Sequence, residues 1–104
     1  MISVLKYFTS DNADALAGTD LDPVPSEARV AVIYIASTQI DTIVSVQTPS
    51  MPVARLIACI QRTNGIPDLA ADAGLVVPVL GGSKLSINID IVTGATVGLI
   101  VQVQ

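Results

Sequence analysis

Two runs of alternating apolar and polar residues constrain this chain more than any other feature. Between Lys84 and Gln104, Leu85, Ile87, Ile89 and Ile91 alternate with Ser86, Asn88 and Asp90. Further on, Val97, Leu99, Val101 and Val103 alternate with Gly98, Ile100, Gln102 and Gln104. A period of two marks a strand that buries one face. Thr93-Gly94-Ala95 separates the runs, and glycine takes the positive φ of a tight reversal at no steric cost. The spacing predicts an antiparallel hairpin with Ile91 opposite Val97 and Ile89 opposite Leu99, so that both apolar rows share one core face. Ser86, Asn88, Asp90, Gln102 and Gln104 then meet water.

The rest of the chain reads in short segments of the same kind. Ile2 to Phe8 is a first strand or an arm lying on a neighbour. From Ser10 to Ser26, Asp11, Asp14, Asp20 and Asp22 mix with Asn12, Gly18, Pro23 and Pro25. Ser10 is placed to cap one or two helical turns ending at Gly18, and the prolines then hold an exposed, extended loop. Arg29 to Ala36 is apolar on both faces, with Val30, Val32 and Tyr34 on one side and Ala31, Ile33 and Ile35 on the other. Such a strand is covered twice or lies at a subunit contact. Gln39 to Thr48 returns from it as a second hairpin, and Val53 to Arg62 is the next strand. Pro67 to Ala73 forms a single helical turn, and Pro78 makes Leu75 to Leu80 an edge strand. A shift of the chain onto itself brings Pro23-Val24 onto Pro78-Val79, Tyr34 onto Ile89, Val44 onto Leu99 and Val46-Gln47 onto Val101-Gln102. Duplication explains this echo, and so does the default likeness of alternating strands. The expected fold is all-β: an antiparallel β-sandwich or jelly-roll-like domain of about seven strands with an extended N-terminal segment. Residues 1–26 are its N-terminal arm and acidic loop, and residues 27–104 its β-sandwich.

Composition adds a partner to this picture. The chain is 51% hydrophobic and only 13% charged, more apolar than the surface of a 104-residue domain requires. Its longest apolar run, Val30 to Ala36, is far short of the ~20 residues of a membrane-spanning helix. The surplus is therefore expected to be buried against other subunits. With net charge −4, no histidine, and Lys6, Arg29, Arg55, Arg62 and Lys84 scattered, no basic stripe exists for nucleic acid or an anionic membrane. Met1 to Lys6 does not open a signal peptide. The lone Cys59 excludes an internal disulfide and fits a reducing compartment.

Chemistry is sparse. Zinc and copper sites need histidine or several cysteines. Asp11, Asn12, Asp14, Asp20 and Asp22 offer oxygens to calcium but lack the spacing of an EF-hand, and a solvated loop is the simpler reading. Cys59 has no histidine base, and its strand setting points to a small buried side chain. Glu27, Asp41, Asp68, Asp72 and Asp90 carry no paired-carboxylate signature. Gly81-Gly82-Ser83-Lys84 is followed by a strand where a phosphate-binding loop needs a helix. Tyr7, Phe8 and Tyr34 are too few for a sugar-stacking platform, and Tyr34 suits core packing. Arg55 and Arg62 point to opposite faces of a strand. No catalytic, cofactor-binding or metal-binding residue is expected, and the chain does not read as an enzyme.

The run ARVAVIYIASTQIDTIVSVQTPSMPVARLIACIQRTNGIPD, from Ala28 to Asp68, and the Val/Ile-rich segment after it resemble in style the decoration or cement proteins of bacteriophage heads. Those are small, acidic β-sandwich auxiliary proteins. The resemblance implies a structural virion protein, made in the host cytoplasm, that binds the major capsid protein of an assembled shell as a homotrimer or dimer. Such a protein needs no cofactor, nucleic acid or membrane, and stabilises the shell because it binds the assembled state better than free subunits. The residues expected at contacts are Ile2, Val4, Tyr7 and Phe8 of the first run, Ile33 and Ile35 of the two-faced strand, and Arg55. The alternatives are a ligand-binding or adhesion β-module, calcium-dependent through the acidic loop, and an enzyme accessory subunit.

Overall fold

A computed structural model describes residues 2–39, 42–49, 55–90 and 94–104, without the side chains of Ile57 and Ala58. Within them the fold is all-β, with eight strands and no helix. These are β1 (Ile2–Phe8), β2 (Val30–Ser37), β3 (Ile43–Gln47), β4 (Arg55–Ala58), β5 (Ile60–Gln61), β6 (Leu75–Pro78), β7 (Ser86–Asp90) and β8 (Val97–Val103). One sheet has the order β1-β8-β2, with β5 and β6 sharing the far side of β2, and the other has the order β4-β3-β7. Every strand pairing is antiparallel except the two-residue pairing of β5 with β2.

The alternation sets which side chains meet between the sheets. Ala31, Ile33 and Ile35 of β2 and Val97, Leu99, Val101 and Val103 of β8 face Val44 and Val46 of β3 and Leu85, Ile87 and Ile89 at β7 in one buried cluster. Burying a side chain of this size contributes about 1.5–3 kcal/mol. Two inward hydroxyls interrupt the apolar rows near one end, and they satisfy each other: Ser37 Oγ lies 3.0 Å from Thr42 Oγ1. Beside them the two connections between sheets meet, Thr38 N donating to Thr96 O at 3.0 Å and Thr96 N to Thr38 Oγ1 at 2.9 Å.

The expected hairpins do not form. Ile89 lies opposite Val44, and Leu99 lies between Lys6 and Ile35, so β7 and β8 belong to different sheets. The same is true of β2 and β3. Both apolar rows do face one core, from opposite sides. Ile91 and Thr93, at the proposed closure, lie outside the described residues. The physical reason is that alternation specifies which face turns inward and leaves the hydrogen-bonding partner open.

The N-terminal segment is likewise integral. β1 pairs with β8 along its whole length, so Ile2 to Phe8 is a strand of its own sheet and not an arm on a neighbour. No helix forms after Ser10: only isolated turns are present, with Ala17 N donating to Asp14 O and Thr19 N to Leu16 O, and Asn12 Oδ1 rather than Ser10 accepts the Asp14 amide. Instead Asn12 exchanges two backbone hydrogen bonds with Ile89, Ala15 N donates to Ile87 O, and Val24 N donates to Ser83 O. The acidic segment therefore runs along the outer edge of β7, and its Ala15, Leu16, Leu21 and Val24 are buried in the core. The expected helical turn near Pro67 is a single turn, with Asp72 N donating to Asp68 O at 2.7 Å.

The echo in the sequence has a structural counterpart. The pairs Ile33–Val101 and Ile35–Leu99 between β2 and β8 match Ile87–Val46 and Ile89–Val44 between β7 and β3. The pair Leu5–Ile100 between β1 and β8 matches Leu56–Ser45 between β4 and β3. Even the bond from Val79 N to Arg29 O has its twin from Val24 N to Ser83 O. The chain is thus two β-β-β halves, β1-β2-β3 and β4-β7-β8, related by an internal two-fold correspondence. Each half inserts its third strand between the first two of the other. Val44 and Val46 match Leu99 and Val101 as in the sequence echo. Ile33 and Ile35, rather than Val32 and Tyr34, match Ile87 and Ile89, so the second half gains one residue between its last two strands.

Candidate interaction surface

The outer face of the β1-β8-β2-β6 sheet follows from the same alternation. β1 presents Ser3, Leu5 and Tyr7; β8 presents Gly98, Ile100 and Gln102; β2 presents Val32, Tyr34 and Ala36; β6 presents Val76 and Pro78. No charged side chain stands among them. On the outer face of the other sheet, by contrast, Ser45, Gln47, Ser86, Asn88 and Asp90 surround Ile43 and Leu56.

A segment from Arg62 to Gly74 lies across part of the first face. Gly65 and Pro67 sit on Gly98, where a Cβ would come within 2.2 Å of the Gly65 carbonyl oxygen. A Cβ at Gly74 would come within 2.5 Å of Val32 Cγ1 and 2.9 Å of Tyr34 Cζ. Ala36 and Ile100, although outward-facing, are consequently buried. The two-faced strand β2 is covered twice, and much of its second cover comes from its own chain. What stays bare flanks this cover: Leu5 and Tyr7 are 50% and 52% exposed on one side and Val76 is 58% exposed on the other. Ile66 and Leu69 are exposed on the cover itself.

An ion pair fastens the cover. Arg62 Nε donates to Asp72 Oδ2 at 3.3 Å, Arg62 Nη2 contacts Asp72 Oδ1, and Asp68 N donates to Asp72 Oδ2 at 2.9 Å. The Arg62 hydrogen bonds, followed by the Asp68 amide, hold the Asp72 carboxyl below the usual carboxylate range. A depressed folded pKa gives stability that is present above the unfolded value, about 3.9, and is lost as pH falls through the folded one. The Asp68 amide resonance is expected to titrate with a midpoint below that of an ordinary aspartate and to lose the transition in Asp72→Asn. A midpoint at or above the ordinary value would remove the fastening role.

The residues expected at contacts separate into two groups. Ile2 and Tyr7 are exposed, Val4 is half-buried on the inner side of β1, and Arg55 is exposed on β4. Phe8, Ile33 and Ile35 are core residues with 7%, 2% and 5% exposure, so they offer a neighbour no surface. Leu5, Val76, Ile66 and Leu69, exposed on or beside this face, and Ile43, Leu56 and Leu80 elsewhere are among the exposed residues that the contact expectations left out. Leu5 was legible, since it alternates with Val4 and Lys6; Leu69 lies in a segment without periodicity.

The acidic segment is organised by a lysine. Lys84 Nζ lies 2.7 Å from Asp14 Oδ2 and 3.2 Å from Asp22 Oδ1, and these hydrogen bonds raise the pKa of the ammonium. Among the described residues no group of three or more His, Cys, Asp or Glu side chains is placed to hold a metal ion. Cys59 lies where the chain passes from β4 to β5, and burial pushes its thiol up to about 11, which suppresses the nucleophilic thiolate. A depression of about 260 Å3 between Gln47, Thr48, Pro49, Lys84 and Ser86 contains a lysine and hydroxyls, and one of about 210 Å3 lies between Ile2, Pro25, Glu27, Ala28, Val103 and Gln104. Among the described residues no helix is long and apolar enough to cross a membrane. Comparisons with protein families, characterised proteins and solved structures give no significant match to this chain.

Proposed function

We propose that this protein is a structural β-sandwich module that self-associates and is added to a larger protein assembly. In its most specific form it is a decoration or cement protein on the major capsid protein of a bacteriophage head. The observation that carries this reading is Leu5 and Tyr7, half exposed on a sheet face whose strands present no charged side chain, in a chain otherwise rich in acid. Exposed large apolar side chains on a face whose strands carry no charge favour a protein–protein contact. The molecule measures 36 × 27 × 23 Å, so its broad face can supply the roughly 800 Å2 per partner of a standard interface. A module of this kind acts without chemistry: by binding the assembled state of its partner it shifts the equilibrium toward assembly.

Light scattering over a range of concentrations tests the self-association. The expected result is a dimer or trimer for the natural sequence and a monomer for Leu5→Asp/Tyr7→Ser with an unchanged circular dichroism spectrum. A single-chain mass for the natural sequence at every concentration overturns it.

A further inference from the structure

The two-fold correspondence divides the sheet edges into two classes. The outer sides of β2 and β7 are lined by the chain itself, β2 by β5 and β6, β7 by residues 12–24. The outer sides of their counterparts, β1 and β4, carry no described strand. These two edges, unpaired on that side among the described residues, correspond to one another, and they match in chemistry. Each bears an exposed leucine on its outer face, Leu5 at 50% and Leu56 at 75%. Each also bears one cation on its inner side, Lys6 opposite Leu99 and Arg55 opposite Val46, both of whose partners are buried core residues. Lys6 folds its stem over Phe8, with Nζ 5.6 Å from the ring centre, so its charge stays at the rim between the sheets.

The charge distribution identifies what such an edge accepts. The chain holds five cations and nine acids, yet β1 and β4 carry two of the cations and none of the acids. An edge strand with an inward-pointing charge resists pairing with its own kind, because like charges then lie across the ladder from each other. A second copy pairing β1 or β4 with either edge meets that repulsion. An extended segment with an acid on its inward side and apolar residues outward instead neutralises the cation, covers the leucine and completes the ladder.

We propose that β1 and β4 are twin docking edges, each adding an acid-bearing extended segment of a partner protein as a further strand. This rests on the reading that the module docks on other proteins, and it supplies the chemistry of the partner. It also makes each copy bivalent, so that one molecule ties together two partner segments and gains by effective concentration.

The test uses the full chain and two labelled seven-residue peptides, Thr-Val-Glu-Val-Glu-Val-Thr and its twin with lysine for both glutamates. The acidic peptide is expected to bind about tenfold or more tightly than the twin, with two sites per chain and weakening by salt. New amide protection is expected only along β1 and β4. Lys6→Glu should leave one acidic-peptide site, and Lys6→Glu/Arg55→Glu should reverse the preference. The charge-neutral Lys6→Gln/Arg55→Gln should lose the preference while keeping its circular dichroism spectrum. Equal binding of the twins, binding of neither, or protection on other strands overturns the inference. An oligomer that binds neither peptide sinks the docking edges and leaves self-association standing; a monomer that binds the acidic peptide does the reverse.

Discussion

Gly98→Ala is expected to lower stability by about 3 kcal/mol, because a single methyl group added there overlaps backbone atoms rather than a movable side chain. The new Cβ would lie 2.2 Å from the Gly65 carbonyl oxygen and 3.1 Å from Pro67 Cδ. β8 cannot retreat, since it is hydrogen-bonded to β1 on one side and β2 on the other. The covering segment must lift, which exposes Val32, Tyr34 and Ile100. For a domain of this length the melting temperature should fall by roughly 10–20 °C. Gly82→Ala is the control. Gly82 has φ +78° but nothing within 4 Å of an added Cβ, so only the backbone cost of about 1–2 kcal/mol applies. Equal losses for the two variants would show that the cover does not rest on Gly98.

Leu99→Ala is expected to cost about 3–4 kcal/mol, a large share of the 5–15 kcal/mol that holds a typical domain. Leu99 is 1% exposed in the middle of the central strand, with Lys6 and Ile35 beside it. Truncation leaves a cavity that paired strands on both sides prevent from collapsing. At concentrations low enough to keep the chain monomeric, Leu5→Ala, on the outer face of the neighbouring strand, should change stability by less than about 0.5 kcal/mol. Chemical denaturation of both variants checks the contrast, and a comparable loss in the two would contradict the assigned inner and outer faces.

Much of this architecture was legible because a period of two is a local property. The inward set Leu85, Ile87, Ile89, Val97, Leu99, Val101 and Val103 can be read directly, and all seven are buried. Which strand each one pairs with is a long-range property that alternation does not encode. A signal was present, however: β8 places Ile100 and Gly98 on the side where β7 places Asn88 and Asp90. A strand covered on both faces and a strand wet on one fit more naturally in different sheets than in one hairpin. The core role of Leu16 and Leu21 was hidden for a different reason. They are isolated apolar residues among aspartates, and only the backbone bonds of Asn12 and Ala15 to β7 turn them inward. Of the residues expected at contacts, Tyr7 stands on the outer face of the first sheet, whereas the contrast between that face and the polar one needed the sheet assignment first.

The exchange of strands between the halves also sets when this molecule can fold. The first sheet places β8 between β1 and β2, joining Val101 to Val4 on one side and to Ile33 on the other. While the chain is being synthesised, β1 and β2 therefore have no common neighbour until Val97–Val103 emerges, and β3 waits for both β4 and β7. Neither half can complete a sheet alone. Such distant pairings place the protein among the slow folders, in the range of milliseconds to seconds, with Leu5, Ile33 and Val44 bare in the meantime. The cell must shelter an unusually apolar nascent chain until β8 has been made.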